Sequence, residues 1–107
     1  MAYIPYNPNL AQLQAYQSDT CKERGWDKTS DLETFLLFSE EIGELAKAIR
    51  KRKELFIEEG KASQKDGIAE EIADVFSYLL ELANRFGVDL ETAYREKEAA
   101  NAKREWK

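Results

Sequence analysis

The stretch FSEEIGELAKAIRK, residues 38–51, decides how the rest of the chain is read. Phe38, Ile42, Leu45, Ala46, Ala48 and Ile49 recur at helical spacing, so the segment is a helix with an apolar face. Glu40, Glu41 and Glu44 interrupt it. At roughly 100° per residue the arc begins with Phe35 and is widened by Leu37 and Ala48. Glu41 falls inside that arc, between Ala48 and Leu45. Glu44 lies one turn on, beside Leu37, and Glu40 lies nearer solvent. Glu41 and Glu44 are three residues apart, so their carboxylates point the same way.

The same pattern returns in EEIADVFSYLLELA, residues 70–83. Its apolar arc holds Ile68, Ile72, Val75, Phe76, Leu79, Leu82 and Ala83. Glu71 sits at the rim next to Leu82, Asp74 is one turn on, and Tyr78 continues that stripe. Glu70 and Glu81 project further out. Two helices thus each border their packing face with an acid pair, and antiparallel packing brings four carboxylates together. Uncompensated, such a group repels itself, and half-buried ions need partners. A divalent cation with oxygen ligands satisfies both demands. The competing reading is a solvated helix face crossed by i, i+4 salt bridges.

Composition narrows the chemistry. The 107 residues are 43% hydrophobic and 35% charged, which suits one domain over residues 1–107 with a modest core. The chain has no histidine, which excludes His-activated nucleophiles, His-bearing zinc sites and the Glu-x-x-His ligands of di-iron bundles. Any metal is therefore held by oxygen, favouring Mg²⁺, Mn²⁺ or Ca²⁺. A net charge of −5 and a pI near 4.9 disfavour nonspecific binding to nucleic acid or anionic membrane. The single cysteine, Cys21, rules out an intramolecular disulfide. With no membrane-length apolar run or leader, the expectation is a soluble cytoplasmic protein.

Punctuation sets the elements. Residues 1–9 form an irregular arm containing both prolines. A first helix is predicted from about Leu10 to Arg24, stopped by Gly25, followed by a short loop, WDKTS. Ser30 and Glu33 form a capping box for a second helix reaching about Lys53. Residues 54–66 are a connector. A third helix runs from about Gly67 to Phe86, ended by Gly87, and Asp89 caps a fourth that runs nearly to the C-terminus. Four helices with mostly short connections predict an all-α, four-helix antiparallel bundle.

The fourth helix changes character along its inward stripe. Leu90, Ala93 and Tyr94 are followed, at helical steps, by Lys97, Asn101 and Arg104. Either the long cations snorkel at a helix end, or they reach a phosphate chain held by the metal.

Together, Glu41-x-x-Glu44, Glu71-x-x-Asp74 and Lys97-x-x-x-Asn101-x-x-Arg104 resemble the MazG-like all-α nucleoside triphosphate pyrophosphohydrolases, over about residues 10–106. GEL after the first acid, VDLETA before the last helix and ERGW before the second also resemble that family, the last its dCTP pyrophosphatase branch. The resemblance implies hydrolysis of a (d)NTP to (d)NMP and pyrophosphate with Mg²⁺ (or Mn²⁺), for cleaning the nucleotide pool. It implies Glu41, Glu44, Glu71 and Asp74 as catalytic metal ligands, and Lys97, Asn101 and Arg104 as contacts to phosphate or sugar. Glu40 and Glu70 are alternatives for a general base. It also implies a homodimer or tetramer that completes the bundle, with sites at subunit contacts. Trp26 either stacks on a base or plugs the end of the bundle, and Trp106 invites the same two readings. The branch places a histidine after this tryptophan; WDKTSD has none, so the resemblance does not carry cytosine specificity over and leaves the preferred base open. Two other readings compete: a phosphoribosyl-ATP pyrophosphatase, and a non-catalytic helical dimerisation module.

Overall fold

The computed structural model describes residues 1–54 and 67–104. Among the described residues the chain is all-α, with four α-helices and no strand. Helix α1 spans Leu10–Arg24, α2 Asp31–Arg52, α3 Ile68–Arg85 and α4 Leu90–Ala102. The expected loop after α1 contains a 3₁₀ turn, Trp26–Lys28. Most of the predicted connector (residues 55–66) and Trp106 lie outside the described residues.

Local chemistry sets the helix ends. Asn9 and Gln12 form a reciprocal box ahead of α1: the Gln12 N–H donates to Asn9 Oδ1, and the Asn9 N–H to Gln12 Oε1, both at 2.8 Å. Gly25, left-handed at φ 73°, turns its N–H back to the Cys21 and Lys22 carbonyls. Ser30 and Glu33 start α2 as predicted, with bonds of 3.1 and 2.9 Å. At the end of α3 the Val88 N–H reaches the Ala83 carbonyl at 2.8 Å, the six-residue closure of a Schellman turn. Asp89 then caps α4, accepting from the N–H and hydroxyl of Thr92 at 2.9 and 2.7 Å.

The chain divides into two compact units, one of Met1–Lys28 with Leu80–Lys107, the other Thr29–Leu79. In the first, α4 packs on α1. Its interior among the described residues holds Cys21, Leu80 and Ala83 beside the buried polar groups Gln14, Gln17, Thr20 and Glu81. The burial of Glu81 corrects the helical projection, which turned it outward. The projection knows only the apolar arc of α3, whereas α1 covers this side with Cys21. Glu81 is paired there with Arg85 one turn on, at 3.0 Å. Burial, and then the Glu81 charge, push the Cys21 thiol up, so it stays protonated.

In the second unit the buried described residues are Thr34 and Ala48. Thr34 meets Thr29 hydroxyl to hydroxyl at 2.9 Å. The large apolar side chains of this unit stay open: Phe35 is 51% exposed and Ile72 53%, and Leu32, Leu36, Ile42, Ile49 and Leu79 are also exposed. The rings of Phe35 and Phe38 tilt against each other at 6.2 Å.

Candidate functional site

Helix periodicity and the caps of α2 place Glu41 on the same side as Leu45 and Ala48, and Glu41 is half-buried. From α3, Glu71 is half-buried and Asp74 exposed. The structure brings these three together: one carboxylate oxygen from each lies within 4.8 Å of the other two. Glu71 Oε2 is buried and makes no hydrogen bond. Two unit charges about 4–5 Å apart repel by roughly 3–4 kcal/mol at an effective dielectric of about 20. The strain registers on Glu41, whose carboxyl is raised above the usual carboxylate range. Partial burial contributes most, then the charges of Asp74 and Glu71, the Glu71 carboxyl close enough to hydrogen-bond, and last Glu44.

The other acids named from the sequence stand outside this group. Glu44 is exposed and stands outside the group that mutually approaches within 4.8 Å, although its charge still bears on Glu41. Glu40 and Glu70 are exposed. Lys97 and Asn101 share a stripe of α4, one exposed and the other half-buried. Arg104 was expected on the helix but lies two residues past its last turn, its N–H bonded to the Asn101 carbonyl at 3.1 Å. Trp26 opens the 3₁₀ turn and is half-exposed, with the Arg24 guanidinium 4.8 Å from its ring centroid. The pattern of charges and apolar residues missed Arg24, although its place two residues before a tryptophan is visible in ERGW.

What three clustered carboxylates on α2 and α3 and a polar, cationic stripe on α4 imply depends on the family. The MazG nucleotide pyrophosphohydrolase domain matches residues 30–104. The chain belongs to that family. The MazG match opens at Ser30, the N-cap of α2, and takes in α2, α3 and α4 with every acid of the cluster. The chain is also 31% identical over 87 residues to an uncharacterized protein, YvdC, of Bacillus subtilis (strain 168), covering 77% of this chain and 82% of that relative. MazG membership makes a nucleotide pyrophosphohydrolase the coarse functional class. Among the described residues no helix is long and apolar enough to cross a membrane.

Proposed function

We propose that the chain is a metal-dependent nucleoside triphosphate pyrophosphohydrolase, cleaving a (d)NTP to (d)NMP and pyrophosphate and so clearing the nucleotide pool. The observation that carries this reading is the convergence of Glu41, Glu71 and Asp74 within a MazG domain.

The residues fit a hard divalent cation. All the donors are carboxylate oxygens, the class preferred by Mg²⁺ and Mn²⁺. The buried Glu71 Oε2 lacks a partner, and partial burial, then the charges of Asp74 and Glu71, hold the Glu41 carboxyl above the usual carboxylate range. Glu41, Glu71 and Asp74 would hold the ion, with Glu44 as a fourth ligand from the same face of α2. When bound, the metal supplies Lewis-acid stabilisation of phosphate charge and a more acidic water. The chain's own groups do the rest. Lys97 and Arg104 offer N–H donors and positive charge to the phosphates, and Asn101 offers an amide that donates or accepts to phosphate or sugar. Trp26, backed by Arg24, gives the base a face to stack on. Glu40 or Glu70 takes the proton from the attacking water.

The open apolar side chains of α2 and α3 support a homodimer or tetramer in which a second copy covers them and completes an antiparallel bundle.

A pyrophosphate-release panel over the common NTPs, dNTPs and phosphoribosyl-ATP, with Mg²⁺ or chelator, tests the reading. The expected result is Mg²⁺-dependent release of pyrophosphate from one or more triphosphates. Glu41→Gln should lose activity by at least about a hundredfold while staying helical. Turnover of phosphoribosyl-ATP alone would move the assignment to that substrate. Undiminished activity in Glu41→Gln would remove the carboxylate cluster from catalysis.

A further inference from the structure

Helix α1 lies outside the family match, yet it holds α4. The anchor is Gln14, which is buried on α1. Its Nε2 donates to Asn84 Oδ1 at 3.1 Å and to the Val88 carbonyl at 2.8 Å. Its Oε1 accepts from the Leu90 N–H at 2.9 Å. Asn84 returns a bond from Nδ2 to the Gln14 carbonyl at 2.8 Å. Both amide hydrogens and the amide oxygen of one side chain are thus committed to the end of α3, the turn after it and the start of α4.

The Leu90 bond has particular leverage. Leu90 is the first residue of α4, and a first-turn N–H finds no partner inside its own helix. Asp89 satisfies Thr92 from within the turn, while Leu90 is satisfied from α1. Two N–H groups of one turn held from different directions fix both the rotation and the axial position of the helix. A 20° rotation of α4 would move a side-chain atom about 6 Å from its axis by roughly 2 Å.

We infer that Gln14 is a positioning residue for nucleotide binding: it sets the register of α4, and through α4 the places where Lys97, Asn101 and Arg104 meet the substrate. This rests on the proposed reading of α4 as the phosphate- and sugar-binding helix.

The test compares Gln14→Met, which keeps the length and removes all three side-chain bonds, with Asn84→Ala. The latter leaves the Gln14 bonds to Val88 and Leu90 intact. In Gln14→Met, KM for the best triphosphate should rise about tenfold or more, with kcat within about threefold of wild type. Asn84→Ala should melt at a lower temperature with KM close to wild type. If Gln14→Met does not fold, Gln14→Asn, one methylene short of Leu90, should show the same KM effect in milder form. An unchanged KM, a fall in kcat alone, or an equal rise in Asn84→Ala would each overturn the inference. Amide hydrogen exchange separates its failure from that of the proposed function. If the wild type releases no pyrophosphate, the functional reading falls, and the anchoring is read from residues 90–93. Faster exchange there in Gln14→Met but not in Asn84→Ala upholds it, and equal protection in all three chains overturns it.

Discussion

At the scale of the residue, Glu41 meets both partial burial and neighbouring carboxylates, and its titration has a definite sign. Its carboxyl is raised above the ordinary value of 4.5. Between that value and its native one, the folded chain holds more proton than the unfolded chain. Stability contributed by this site is therefore greatest at low pH and is lost as pH rises through the window. In chelator, wild type should lose melting temperature relative to Glu41→Gln as pH rises above about 4.5, and the difference should level off once Glu41 is ionised. A difference between the two that stays constant with pH would show that the carboxylates are too well solvated to interact. Glu41 was legible in the sequence because 100° steps placed it among Leu45 and Ala48. Glu81 was not, because no projection of α3 contains Cys21 of α1. Gln14 left no trace either: an amide gives no signal in hydrophobic periodicity, and its partners lie 70 or more residues away.

Elements were read most securely where they end. Gly25, Ser30 with Glu33, Gly87 and Asp89 act within a few residues of themselves, so a linear sequence contains the whole interaction. Two glycines make the physics testable with the same substitution. A Cβ built on Gly25 or on Gly43 meets nothing within 4 Å, so sterics with neighbours do not distinguish them. Gly25 sits at φ 73°, where any L-residue is strained, while Gly43 lies inside α2 without a positive φ. Gly25→Ala should therefore lose about 1 kcal/mol, and Gly43→Ala should gain roughly 0.5–1 kcal/mol, both measured by denaturant unfolding. Gly43 lies in α2 between Glu41, two residues before it, and Glu44, which follows it. A stabilised Gly43→Ala with impaired activity would mean that substrate or a second copy passes close to the bare backbone.

For the whole molecule, the sequence identified which faces are apolar but not what covers them. Phe35, Ile42, Ile49, Ile72 and Leu79 were assigned to packing faces by periodicity, and all remain exposed in the single chain. Helical spacing reports an apolar stripe whether its cover comes from the same chain or from another. Sedimentation should therefore find a dimer or tetramer rather than a 12.4 kDa species. Phe35→Glu or Phe76→Glu should shift it towards smaller species, and activity should fall with it if neighbouring copies complete the site. A wild-type monomer with full activity would refute this.

The family match and the unit that holds α4 do not share an edge. The match opens at Ser30, whereas the Leu90 amide is held from Gln14, sixteen residues before that boundary. A fragment excised along the homology border, or spliced there into a chimera, would inherit every carboxylate of the cluster. It would leave behind the side chain that seats its last helix.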